Sequence, residues 1–378
     1  MEPTDAAAML LMAVLGPVAA LEVAAGHRPI GPAEHAAFVR AAAEAGYGPR
    51  QVDLRRACER WGSRAPGLDP GGDLEAAARV GGWLAVPEDP DWPGALDDLG
   101  LCAPVALWGR GDRRLLPFPA AGSVAVVGAR QCTPYGRDVA MDLAGALAAR
   151  GWTVVSGGAY GIDAAAHAAA LATGTARPPT VSVMAGGIDR FYPRVNEGLL
   201  GEVAASGLVL SEVAPGCTPS RYRFLQRNRL IAALAAGTVV VEAGWRSGAQ
   251  STAHHADGLS RPVGAVPGSV RAASSAGCHR LIREGTAVLV TDADEVLELI
   301  LPLGAAPAPE HDGPAADVDG LGENDRRLFD ALPLRVRSRP EHLAGVAGLS
   351  AREVLAGLRR LDERGLADGT GEGWCRRR

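Results

Sequence analysis

The sequence predicts an α/β protein built on a parallel sheet covered by helices on both faces, with a small helical domain before it and a small helical module after it. Three observations predict this. Short β-branched runs alternate with alanine-rich helical stretches between residues 123 and 300, the pattern of a sheet buried on two sides. Several of those runs end on glycine, as strand ends that face a ligand do. The composition then breaks after Ile300 before a patterned tail resumes.

In chain order, residues 1–80 are rich in alanine, with helical stretches in AAAMLLMAVLG and PAEHAAFVRAAAEAG, and read as a small helical domain. The long apolar run at its start lacks a preceding basic segment and is interrupted by Pro17 and Glu22. It therefore reads as packed helices rather than a leader or membrane span. The Pro87 to Pro93 stretch, PxDxxWP, is turn-rich and leads to a short strand near Val105 to Trp108. Residues 81–300 form the sheet domain. Strands are expected at Val124 to Val127, Thr153 to Ser156, Val181 to Met184, Leu208 to Ser211, Thr238 to Val241, Val263 to Val266 and Val288 to Val290. Helices fit between them, including Gly136 to Arg150, Ile162 to Thr173 and Phe224 to Ala236. Residues 301–321 carry proline, glycine, alanine and aspartate with few apolar anchors, hence a flexible linker. Residues 322–378 give three short helices and a hairpin-like end, the outline of a winged helix, with Ser350 and Glu353 as a capping box.

The net charge of −5 does not advertise a nucleic-acid binder, but it conceals a local cluster. Arg221, Arg223, Arg227 and Arg229 place four positive charges in nine residues, interleaved with Tyr222 and Phe224 and with Asn228 between the last two. Guanidinium groups grip phosphates while rings accept bases without sequence preference, so this mixture suits a single strand. Gly128-Ala129-Arg130 closes the first central strand and sets an arginine fork beside a backbone that a phosphate can approach. Ser156, Gly157 and Gly158 open a second glycine loop ahead of a helix, where freed N–H groups line an anion pocket. Gly244, Arg246, Ser247 and Gly248 border the same sheet edge.

Catalytic and metal readings are weaker. Neither GxGxxG nor a Walker A sequence is present in these loops. His167, His254 and His255 lack co-ligands at convincing spacing, so no metal is assigned. Glu242 has no second carboxylate placed to work with it. Its structural role would be to hold Arg227, Arg229 or Arg246 through an ion pair. The chain reads as a binder rather than an enzyme, without a cofactor. Six scattered cysteines without paired spacing fit reduced thiols in the cytosol.

Taken together, VVGAR at 126–130, SGGAYGID at 156–163, AHAAAL at 166–171, FLQRNR at 224–229, GTVVVEA at 237–243, RSGAQSTA at 246–253, VPGS at 266–269 and GCHRLIREG at 277–285 resemble the bacterial DNA-processing protein A (DprA/Smf) family. That resemblance implies an extended Rossmann-like domain which, as a cytoplasmic homodimer, binds single-stranded DNA. It further implies loading of RecA recombinase onto that DNA in natural transformation or recombination. It carries the phosphate pocket onto Gly128-Ala129-Arg130, Ser156 to Gly158, Arg221, where the family often has lysine, and Arg227-Asn228-Arg229. The family's glycine-serine-arginine turn is Gly-Ala-Arg here, which removes one hydroxyl donor. Two alternatives compete. A phosphoribohydrolase-like hydrolase on a related fold shares the Gly237-Thr238 to Glu242 segment but would have a PGGxGT pattern that is absent. A sensor of nucleotides or foreign DNA is the other.

Overall fold

The computed structural model describes residues 2–48, 51–176, 178–302, 320–334, 337–370 and 373–377. Most of the expected linker, 301–321, lies outside them. The chain divides into two compact units, Met1–Ala308 and Pro309–Arg378.

Five helices open the first unit: α1 Ala6–Leu15, α2 Pro17–Ala24, α3 Pro32–Glu44, α4 Leu54–Gly62 and α5 Pro70–Arg79. The apolar run near the start is broken at Gly16, whose φ of 77° lets the chain turn, and Pro17 then sits in the first turn of α2. Among the described residues, no helix is long and apolar enough to cross a membrane.

Nine strands follow: β1 Gly82–Ala85, β2 Leu107–Gly111, β3 Ser123–Val127, β4 Thr153–Ser156, β5 Thr180–Met184, β6 Leu208–Ser211, β7 Gly237–Val240, β8 Val263–Ala265 and β9 Val288–Leu289. They form one sheet in the order β1-β2-β6-β5-β4-β3-β7-β8-β9. From β6 to β9 all pairings are parallel, while β2 pairs antiparallel with both β6 and β1. The sheet is therefore mixed, and the expectation of a purely parallel one is corrected at this edge. A chain that returns through a turn-rich segment, without a crossover helix, pairs antiparallel. That segment is held by Arg113, which donates to Asp89 at 2.8 Å and to Asp91 at 2.7 and 2.9 Å. The PxDxxWP pattern thus supplies two carboxylates for one guanidinium.

The covering helices are α6 Pro134–Ala149, α7 Ile162–Thr173, α8 Glu197–Ser206, α9 Arg221–Ala233, α10 Ala249–Gly258, α11 Ala276–Arg283 and α12 Ala293–Ile300. Alternation along β3 explains the two layers. Val124 and Val126 pack with Leu143, Leu147 and Ile162 of α6 and α7, whereas Ala125 and Val127 pack with Leu230, Ile231 and Ala253 of α9 and α10. Helix α9 begins one turn earlier than the sequence pattern suggests, because Ser220 Oγ accepts the Arg223 N–H at 3.2 Å and caps it. All four clustered arginines therefore lie on the helix.

The second unit holds α13 Glu323–Ala331, α14 Pro340–Ala347, α15 Ala351–Glu363 and the antiparallel pair β10 Ala367–Thr370 and β11 Gly373–Arg376. Leu328, Leu343, Val354, Leu358 and Leu361 fill its core. The capping box forms: Ser350 N–H donates to Glu353 Oε2 at 2.8 Å and Ser350 Oγ accepts the Glu353 N–H at 3.3 Å.

Candidate nucleic-acid interface

The sheet order reverses at β3, whose neighbours are β4 on one side and β7 on the other. Ligands of open α/β sheets bind outside the carboxyl ends of strands at such a reversal. There the Gly128-Ala129-Arg130 turn is stitched to both neighbours. Ala129 N–H donates to the Glu242 carbonyl at 2.7 Å, and Ile162 N–H at the start of α7 donates to the Ala129 carbonyl at 3.3 Å. Arg130 projects outward, with its guanidinium 4.3 Å from the centre of the Phe224 ring. A shallow cleft lies beside that stack, lined by Gly157, Ala159, Tyr160, Tyr192 and Pro219.

Two glycines of the loop after β4 are required by close approach. A Cβ on Gly157 would lie 2.3 Å from Arg227 Nη1, and Gly158 has φ 65° with Ser182 Oγ 2.7 Å from where its Cβ would be. Only a chain without side chains passes there. Asn196 Nδ2 donates to the carbonyls of Gly158 and Ala159, both at 3.0 Å, and fixes the loop from the other side.

Beneath the loop lies a buried polar framework. Arg227 donates to the Gly157 carbonyl at 2.7 Å and to the Val183 carbonyl, tying the ends of β4 and β5 together. Burial lowers its pKa to about 10, and neighbouring Asp163 opposes that shift. The Asp163 carboxyl is itself pushed up by burial, against the pull of Arg227. It accepts the Ala159 N–H at 3.3 Å. His167 is fully buried, and burial followed by the charge of Arg227 lowers its pKa to about 3. Thr180 Oγ1 gives its proton to the Val154 carbonyl at 2.7 Å, so His167 Nδ1 is the donor in its 2.7 Å contact with that hydroxyl. The ring is a neutral core element.

The structure separates the arginines that the sequence groups together. Arg130, Arg221 and Arg246 are exposed and make no ion pair among the described residues. Arg223 is turned aside: it pairs with Glu2 at 3.2 Å and donates to the Thr218 carbonyl at 2.9 Å. Arg229 is 1% exposed, bound to Glu212 at 2.6 and 2.8 Å and to the Cys102 and Gln226 carbonyls. Five of the residues expected on the surface track are buried or held within the protein. Arg229 is a core ion pair because every donor direction is taken within the protein, and Arg223 is held by Glu2. Arg227 forms the floor rather than a contact surface. Asn228 is likewise buried, with Nδ2 donating to the Gly248 carbonyl at 3.1 Å, so it fixes the loop after β7. The Ser156 hydroxyl is buried as well and donates to the Val126 carbonyl at 2.6 Å.

Glu242 is 2% exposed. Its Oε1 accepts the Thr133 hydroxyl at 2.7 Å and its Oε2 accepts the Thr133 N–H at 2.9 Å. It therefore anchors the N-terminus of α6, where a negative charge is favourable. Neither general-base chemistry nor the expected ion pair with Arg227, Arg229 or Arg246 is what its oxygens do. In the second unit, Arg360 is paired with Asp325 at 2.6 Å, and Arg376 lies 4.2 Å over Phe329. Tail arginines of the expected winged helix are thus partly taken up by its own packing.

A model of the family described as DNA recombination-mediator protein A matches residues 83–301, more than half of the chain. This chain belongs to the DNA-processing protein A family. A DNA processing protein DprA of Mycobacterium tuberculosis is 42% identical over 377 residues, covering 97% of this chain and 93% of that protein. The X-ray structure of DNA processing protein A from Streptococcus pneumoniae superposes with a TM-score of 0.58 at 35% identity, covering 66% of this chain and 86% of that one. The structure of the Helicobacter pylori protein, described for its single-stranded DNA binding mode, gives a TM-score of 0.51 at 32% identity, covering 57% and 94%. As a family member the chain is a DNA-processing, recombination-mediating protein.

The cleft also contains residues that the sequence pattern does not single out. Tyr192 lies with its ring centre 5.8 Å from that of Phe224, and Pro219 closes the cleft just ahead of α9. An exposed tyrosine after a glycine-lined strand end was the available signal for Tyr192.

Proposed function

We propose that this chain binds single-stranded DNA without sequence preference at the carboxyl ends of β3, β4 and β5 and delivers it to a RecA recombinase. The observation that carries this is the exposed Arg130 guanidinium stacked on Phe224 at the mouth of a small cleft lined by Gly157, Tyr160 and Tyr192. A phosphate and a base face are common to every nucleotide, so such a pair selects single strands without reading sequence. Arg221 and Arg246 extend the positive rim while Arg223 and Arg229 are neutralised by glutamates. DNA contact is therefore assigned to Gly128, Ala129, Arg130, Gly157, Arg221, Phe224 and Arg246, with buried Gly158, Arg227 and Asn228 shaping the loops.

In the same reading, residues 81–300 are the Rossmann-like DNA-binding domain, 1–80 a helical accessory domain and 322–378 a winged helix joined by a linker. The protein acts in the cytoplasm as a homodimer. We assign self-association to the edge of β9, where Val288 and Leu289 are exposed and no further strand pairs among the described residues. Fluorescence anisotropy with labelled homopolymers tests the central claim. Wild type binds thymidine and adenine strands alike, more weakly as salt rises, and the Arg130→Ala/Arg221→Ala double variant loses binding while melting normally. Undiminished binding by that variant would remove the assigned site. Recombinase loading is read as RecA filament growth on strands already covered by a single-strand-binding protein.

A further inference from the structure

Half-exposed aromatic side chains recur along the rim: Tyr192 is 45%, Tyr160 46%, Tyr135 48% and Trp245 56% exposed. They follow β5, β4, β3 and β7 respectively, and these four strands are neighbours in that order. With about 4.8 Å between strands, the ends of these four strands span about 14 Å across three steps. At the far end another arginine meets a ring. The Arg280 guanidinium lies 5.3 Å from the centre of the Trp245 ring, as Arg130 lies over Phe224. Arg280 is held in place by Glu284, whose Oε1 accepts its Nε–H at 2.9 Å.

The loop presenting Trp245 is fixed at several points. Gln250 Nε2 donates to the Gly244 carbonyl at 2.8 Å and to the Trp245 carbonyl at 3.0 Å. Asn228, on the helix that carries Phe224, donates to the Gly248 carbonyl. The two arginine–aromatic pairs are therefore linked through α9. Tyr135 reaches past β7: its hydroxyl donates at 2.7 Å to the carbonyl of Pro267, in the loop after β8. Arg246, next to the tryptophan, is exposed and makes no ion pair among the described residues. A large ring left half in water, braced by a cation and flanked by a second one, is matched to a planar ligand carrying negative charge.

We propose that Trp245, braced by Arg280, is a second base-stacking site that receives a single strand after it has crossed the sheet edge from the Arg130–Phe224 cleft over β4 and β3 to β7. This rests on the single-strand reading of the cleft. It adds direction and length to that reading: the strand runs across the parallel strands, and its affinity grows when it reaches β7.

The test uses the full chain, a thymidine homopolymer long enough to cross the sheet, and one of a few nucleotides that occupies only the cleft. Trp245→Ala weakens binding of the long strand about tenfold, as loss of one stacked base does, and leaves the short strand unchanged. Trp245→Phe keeps most of the affinity because a ring remains. The long strand quenches wild-type tryptophan fluorescence, and the part due to Trp245 is missing in the Phe variant. Long-strand affinity of Trp245→Ala equal to wild type, or quenching unchanged in Trp245→Phe, would overturn the second site while leaving the cleft standing. Failure of wild type to bind either strand would instead overturn the reading on which it rests.

Discussion

Arg130 and Arg229 belong to the same compact unit and both touch α9, one by stacking on it and one by growing from it. Arg229 faces Glu212 and two carbonyls in the protein interior, with no route to water. Arg130 faces a ring and solvent. The difference teaches that the arginine cluster is two systems: a buried framework that sets the shape of three loops, and a rim free to neutralise phosphate. Burial decides the role, because a guanidinium taken out of water must be satisfied within the protein.

The largest expected effect comes from removing a framework charge. Arg229→Ala leaves the Glu212 carboxylate without its buried partner and is expected to cost about 3–5 kcal/mol of stability, read as a lower urea midpoint. A variant that melts like wild type would erase the distinction between framework and rim. Next comes the rim itself. Arg130→Ala with Arg221→Ala is expected to change stability by under about 0.5 kcal/mol. It should also flatten the dependence of log affinity on log salt by about 0.7 for each phosphate that the variant no longer neutralises.

Acid sensitivity sharpens the comparison further. His167 has its pKa lowered by burial to about 3, so the folded state keeps it neutral where the unfolded chain, with an ordinary value near 6.5, takes up a proton. Stability from this group is complete above about pH 6.5 and falls as pH drops towards 3, by up to about 1.4 kcal/mol per pH unit. Asp163, with a raised pKa, contributes with the opposite sign over its own range. The His167→Gln variant therefore isolates the histidine part as the difference in slope of urea midpoint against pH. The smallest effect is at the half-buried pair: Arg223→Ala should cost about 0–1 kcal/mol and leave DNA affinity near wild type. Strong loss of binding there would return Arg223 to the track.

How far the sequence could be read depended on how local the signal was. The strands from β3 to β8 were legible because their residues are buried on both faces and so run continuously apolar. Strand β1 was not, since GGWLA is short, starts with two glycines and pairs with a segment more than twenty residues on. That Gly128 and Gly157 follow strand ends was legible because residue type carries that signal, whereas the stacking of Arg130 on Phe224 was not. The burial of Arg229 and Ser156 was not legible, for a common reason. Their partners, Glu212 with Cys102 and Val126, come from elsewhere in the chain, and nothing in RNR or SGG states that the donors are already used.

By itself the sequence determined the alternation of strand and helix, the glycine-lined strand ends, and the store of arginines and aromatics from which a nucleic-acid site is made. These follow from periodicity and side-chain chemistry, which are properties of neighbouring residues. Tertiary structure alone decided which arginines reach water, that Glu242 anchors the start of a helix, and that the strands preceding Tyr192, Tyr160, Tyr135 and Trp245 are neighbours in the sheet. Their order in space is not their order in the chain, because β7 joins the sheet beside β3. Strand order is set by which faces can be buried together, a condition that only the whole fold satisfies.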